Sequence, residues 1–128
     1  MRKAKILVVE DESIIAMEIG SRLENSGYNV VGIVSSGEQA IKRTDEIIPD
    51  VILMDIILKG EIDGIETVKE IRKKHTTPII YITAYSDKET FKRAEETSPY
   101  AFLLKPFEED TLKDAIENAL KDASSPKK

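Results

Sequence analysis

Four apolar runs in this chain each stop at a residue able to do chemistry. Ala4 to Val9 runs into Glu10, Asp11 and Glu12. Asp50 to Met54 runs into Asp55, Ile79 to Ile82 into Thr83, and Tyr100 to Leu104 into Lys105 and Pro106. Crowded carboxylates repel and raise each other's pKa values unless a cation neutralises them. The chain has no cysteine, so the donors available are oxygens, and a hard divalent cation such as Mg²⁺ suits them best. Asp55 could then attack a phosphoryl group as a nucleophile. Lys105 would pair with the transferred phosphate as a point charge, and Thr83 would donate a hydroxyl hydrogen bond to it. His75, the sole histidine, precedes the fourth run and is expected on the surface, away from the acids.

That chemistry requires the run ends to meet. Short apolar runs without polar alternation fit strands buried on both faces, as in a parallel sheet. Strand candidates are Ala4–Val9, Tyr28–Val34, Asp50–Asp55, Ile79–Ile82 and Tyr100–Leu104. Helical patterns lie between them. Ile15, Ile19 and Leu23 share one face before a stop at Gly27. Ser35 and Ser36 can cap a second helix, with a stripe of Ala40, Ile41, Thr44, Ile47 and Ile48 ended by Pro49. Asp63 can cap a third carrying Ile65, Val68 and Ile71. Asp87 can cap a fourth holding Phe91 and Ala94. Leu112, Ala115, Ile116, Ala119 and Leu120 mark a fifth.

Strands alternating with helices need crossover connections, hence a parallel sheet covered on both faces. In the doubly wound order 2-1-3-4-5, the chain reverses direction between the first and third strands, which opens a cleft at their C-terminal ends. Asp11 and Asp55 would face each other there. Each residue also has a purely local reading. Asp11 could be a helix N-cap, Glu10 and Glu12 acids of a first turn, Asp55 a turn cap, and Thr83 and Lys105 ordinary strand-end residues. The local readings must treat the meeting of Glu10, Asp11, Asp55, Thr83 and Lys105 on one edge as coincidence.

Composition bounds the rest. The 128 residues suit one domain, expected over 1–122 with a flexible tail over 123–128. Hydrophobic residues make up 41% and charged residues 34%, an ordinary globular balance. The net charge of −5 offers no reason to bind nucleic acid. The absence of cysteine excludes disulfides and thiol catalysis. No apolar run is long enough for a bilayer, and no signal-peptide core opens the chain, so a cytoplasmic location is expected. No second domain is expected after Leu120, so the chain would act alone or as a piece of a longer protein.

The ordered set Ile6–Glu12, Val51–Asp55, Asp63-Gly64, Thr83-Ala84 and Lys105-Pro106-Phe107 resembles the receiver domain of two-component response regulators, over nearly the whole chain. The resemblance implies a flavodoxin-like (βα)5 fold and a role in phosphorelay. Asp55 would be the phosphoacceptor, served by a sensor histidine kinase or phosphotransfer protein. Asp11, Asp55 and the backbone carbonyl of Ile57 would bind Mg²⁺, with Glu10 acting through a metal-bound water. Lys105 would contact the phosphoryl group and precede a cis bond to Pro106. Thr83 and Phe102 would form a switch pair, acting on an unknown output partner or a homodimer through the fourth helix, fifth strand and fifth helix. Such a domain catalyses only its own phosphorylation and dephosphorylation, and is not otherwise an enzyme.

Two departures stand out. The Met-Pro pair usual after the acceptor is missing, and the loop from Asp55 to Asp63-Gly64 is one residue longer, which implies a changed loop path. Ile57 and Tyr85 occupy positions that help or hinder attacking water, and neither can orient it. Three rivals remain. A phosphatase with an aspartyl nucleophile would want a second aspartate at position 57. A flavin domain would want a glycine- and hydroxyl-rich loop after the first strand, where Glu10-Asp11-Glu12 would repel phosphate. A constitutive interaction module would not need the acid, threonine and lysine set.

Overall fold

The computed structural model describes residues 3–84 and 87–124. In chain order the elements are β1 (Lys5–Val9), α1 (Ser13–Asn25), β2 (Asn29–Val34), α2 (Gly37–Ile47), β3 (Val51–Asp55), α3 (Gly64–Arg72), β4 (Ile79–Thr83), α4 (Lys88–Glu95), β5 (Ala101–Leu104) and α5 (Glu109–Ser124). All strand pairs are parallel and the order is β2-β1-β3-β4-β5, as the alternation of elements predicts.

The central strands are apolar between their end residues because helices cover both faces of the sheet. Side chains on a strand alternate between faces, and β1 shows the division. Leu7 and Val9 enter one core with Ile52, Met54, Ile79 and Tyr81, covered by Ala40, Ile65, Val68, Ile71 and Ala94. Ile6 and Val8 enter the other with Val51, Leu53, Ile80 and Ile82, covered by Ile19, Leu23, Leu112, Ile116 and Ala119. Thus α2, α3 and α4 lie on one face, and α1 and α5 on the other.

Helix starts follow the expected chemistry. Ser36 Oγ accepts from the Gln39 N–H at 3.2 Å. Asp63 accepts from Glu66 N–H, and the Glu66 carboxylate accepts from Asp63 N–H, a complete capping box. Asp87 accepts from Thr90 N–H at 2.6 Å. Gly27, just past α1, has φ +96°, a conformation that favours glycine.

Several expectations need correction. Ser35 does not cap α2; its N–H and hydroxyl both donate to the Gln39 side chain. Ile48 is not part of the α2 stripe. It is the C-cap at φ 55° and exposed, because the residue before a proline is driven out of the helical region. His75 is half-buried, with Nε2 2.8 Å from Asp45 Oδ1 on α2, since the C-terminal end of α3 packs beside that helix. β1, β2, β3 and β5 each begin one residue later than expected. α5 continues to Ser124, past the expected domain end at 122, and 125–128 of the expected tail lie outside the described residues. Among the described residues no helix is long and apolar enough to cross a membrane.

Leu53 is fully buried, whereas Ile14 is 83% exposed. Leu53→Ala should lower the unfolding free energy by about 3 kcal/mol, and Ile14→Ala should change it by less than about 0.5 kcal/mol. Urea denaturation of the two variants checks both.

Candidate functional site

β1 and β3 are hydrogen-bonded neighbours, with Val9 opposite Met54. The residues just beyond, Glu10 and Asp55, therefore emerge side by side. From β1 the chain goes out to β2, and from β3 it goes the other way to β4, so this is the point where the winding reverses. Glu10 is 1% exposed and Asp55 5% exposed, while Asp11 is half-buried. Glu10, Asp11 and Asp55 each offer a carboxylate oxygen within 4.8 Å of the others.

Lys105 closes the group. Its Nζ donates to Asp55 Oδ2 at 3.0 Å and also to Glu10 Oε1. The Lys105 backbone is held by its N–H to the Thr83 carbonyl, 2.8 Å away, and the Lys105–Pro106 bond is cis. Thr83, 1% exposed, ends β4 one position past Ile82, the partner of Asp55.

Local backbone explains the placement of the acids. The Glu12 N–H donates to Glu10 Oε2 at 3.2 Å, which ties the Glu10 side chain to the start of α1. The N-cap of α1 is Glu12, with no side-chain cap bond, so Asp11 does not serve as the cap. After Asp55, the Ile57 N–H returns to Asp55 Oδ1 at 3.3 Å, and Gly64 N–H donates to the Ile56 carbonyl at 2.7 Å. A Cβ on Gly64 would lie 2.0 Å from the Asp55 carbonyl oxygen. The Asp63-Gly64 pair is thus a cap followed by the one residue type that lets α3 approach β3 this closely.

Burial, and then the adjacent Glu10 carboxylate, push the Asp55 carboxyl up to about 6, against the pull of Lys105. For Lys105, burial acts downward, but the hydrogen bonds it donates to Glu10 and Asp55 outweigh it and hold the ammonium above its ordinary value. Burial and the Glu10 charge thus oppose ionisation of Asp55 more than Lys105 favours it.

Phe102 lies on β5 opposite Tyr81, half-buried against the α2–α3–α4 core. Its ring is 6.0 Å from that of Tyr81 and 5.1 Å, edge-on, from that of Phe91 on α4. α4 has Ala94 as its buried residue. Polar ties add to this: Arg93 pairs with Asp63 at 3.1 Å, and Tyr81 shares a 2.7 Å hydrogen bond with Thr97 just past the helix. Sequence reasoning missed the direct Lys105–Glu10 contact and these α4 ties. Their partners are too distant in sequence for any local pattern to signal them. Ile57 is 59% exposed, and Tyr85 lies outside the described residues.

A doubly wound five-stranded domain with acids at the switch point and a lysine from the last strand defines a small α/β signalling class. The family described as response regulator receiver domain matches residues 6–117, and the chain belongs to it. The transcriptional regulatory protein PdtaR of Mycobacterium tuberculosis is 34% identical over 116 residues, 91% of this chain and 56% of that protein. The phyllosphere-induced regulator PhyR of Methylorubrum extorquens is 34% identical over 117 residues, 91% of this chain and 43% of that protein. The chain thus spans about half the length of the curated relatives it matches. The crystal structure of the signal receiver domain of a modulated diguanylate cyclase from Desulfovibrio desulfuricans G20 superposes with a TM-score of 0.89 at 38% identity, over 94% of this chain and 96% of that one.

The raised Asp55 pKa has a signed consequence. The folded state holds that proton more tightly than the unfolded state, whose carboxyl titrates near 4. The stabilisation present at low pH is therefore lost as pH rises from about 4 through about 6. In chelator, Asp55→Asn should gain on wild type by on the order of 2 kcal/mol between pH 4 and pH 7.5. Paired urea melts measure this, and a pH-independent difference would contradict the account.

Proposed function

We propose that this chain is a phosphorylation-controlled switch in which Asp55 accepts a phosphoryl group from the phosphohistidine of a histidine kinase or phosphotransfer protein. The observation that carries this reading is the contact of Lys105 with both Glu10 and Asp55 inside a three-carboxylate cluster. An Asp55 carboxylate oxygen attacks phosphorus, the phosphorus–nitrogen bond breaks, and its electron pair leaves with the donor imidazole. The product is an acyl phosphate on Asp55.

The donor set suits Mg²⁺. Its members are carboxylates, without sulfur, and His75 is engaged with Asp45 elsewhere. Asp11, Asp55 and the Ile57 carbonyl would hold the ion, with Glu10 assisting. When bound, Mg²⁺ supplies charge neutralisation to the carboxylates and to the phosphoryl oxygens. Lys105 is already at the acceptor and would exchange part of its carboxylate contact for the phosphoryl oxygens. Phosphorylation adds negative charge and strong acceptor oxygens. Thr83 would turn its hydroxyl toward them, and Phe102 would move inward into the space that Thr83 vacates. The α4–β5–α5 face would thereby change its fit to an output partner or to a second copy. This is a shift between two packings, driven by the contacts phosphate makes in one of them.

Incubation with acetyl phosphate and Mg²⁺ should add one phosphoryl group by intact mass, and Asp55→Asn should add none. An adduct that survives the substitution would place the acceptor elsewhere. Lys105→Ala should leave Mg²⁺ binding detectable while cutting the phosphorylation rate by at least about 10-fold.

The lifetime of the acyl phosphate is a separate matter. Exposed, aliphatic Ile57 cannot orient an attacking water, so dephosphorylation should be slow and Ile57→Asn should accelerate it. Phosphate release from the two proteins decides this; slower release from the variant would refute the role given to Ile57.

A further inference from the structure

The segment between β3 and α3 combines a demanding position with little intrinsic rigidity. It leaves Asp55 through Ile57, whose side chain stands in solvent, and it turns at Gly60 with φ +102°. Free glycine-containing loops have many shapes open to them. Here the ends are held locally, by Ile57 N–H on Asp55 and Gly64 N–H on Ile56. The middle is held from another element.

That element is the start of α2. Ser36 and Lys59 form an isolated parallel bridge. Glu38, in the first turn of α2, accepts the Glu61 N–H through Oε2 at 3.4 Å. Its Oε1 lies 2.9 Å from where a Gly60 Cβ would stand. Gly37 seats the helix against the loop: a Cβ there would lie 2.0 Å from Thr67 Oγ1 and 2.8 Å from Ile62 Cγ1. Leu58, just before these contacts, packs on the core. A backbone bridge, a carboxylate over a glycine and a helix pressed onto Ile62 all act on the four residues 59–62.

We propose that Glu38 is a positioning residue for the metal site, fixing through Gly60 and Glu61 the loop that carries Ile57. The proposal rests on the metal reading above. Glu38 touches none of the reacting groups in this account. Residues that orient a ligand from behind typically change metal affinity by about 10-fold or more when removed. The longer loop, lacking the usual Met-Pro pair, takes from α2 the rigidity that proline would give it from within.

The test is a Mg²⁺ titration of the full chain, following the backbone amides of Asp11 and Asp55 by NMR, with hydrogen exchange at Glu61. Glu38→Ala removes the acceptor and the charge; Glu38→Gln removes only the charge. The expected result is Mg²⁺ affinity weakened about 10-fold in Glu38→Ala and within about twofold of wild type in Glu38→Gln, with faster Glu61 exchange in the alanine variant alone. Gly60→Ala should weaken Mg²⁺ in the same direction. Equal weakening in the alanine and glutamine variants would mean Glu38 acts by its field, and the proposal would be wrong. So would an unchanged affinity in Glu38→Ala alongside faster Glu61 exchange. A wild type without Mg²⁺-dependent shifts at Asp11 or Asp55 would overturn the metal reading, and this proposal with it.

Discussion

The ammonium of Lys105 sits between two acids that water barely reaches, Glu10 at 1% and Asp55 at 5% exposure. Burying charge is costly unless it is paired, and removing one partner of such a group leaves the other uncompensated. The fold can be understood as the geometry this contact demands. Strands lie about 4.8 Å apart, so β5 stands roughly 10 Å from β3 and farther still from β1. Only a long, flexible side chain spans that gap from the last strand. The parallel order β2-β1-β3-β4-β5 puts every contributing residue at the same end of the sheet, and the two fully apolar cores hold the strands in register beneath it.

The same arrangement is not optimised for stability. Asp55 is pushed toward neutrality by burial and by Glu10, and Gly64 is required because the backbone of α3 presses on the Asp55 carbonyl. Local rules are broken where a side chain must be held for chemistry, and the surrounding regular structure compensates. In the function proposed above, a cation or a phosphoryl group would find its partners already gathered.

Much of this was legible in the amino-acid order. Strands buried on both faces leave uninterrupted apolar runs, so Leu7, Leu53 and Ile80 could be assigned to a core, and the run ends marked the site. Ser36, Asp63 and Asp87 announced helix starts through their side-chain oxygens. What was not legible depends on distant pairs. Glu10 meets Lys105 across 95 positions, Glu38 meets Glu61 across 23, and His75 turns toward Asp45 across 30. Ile48 misled for a different reason. Its apolar character continued the α2 stripe, but the following proline decided its backbone.

The thin attachment of α4 carries a further consequence. With Ala94 as its buried side chain and Phe91 meeting Phe102 only by an edge, little apolar area must be uncovered to lift it. Among the described residues its polar grip includes an ion pair, a hydroxyl contact and two bonds from Arg72 to the carbonyls just past the helix, each worth about 1 kcal/mol. Dislodging this helix is therefore a far smaller event than melting the sheet. The molecule combines a stiff floor with one loosely held wall, and in the function proposed above it is this wall that chemistry at the strand ends would reset.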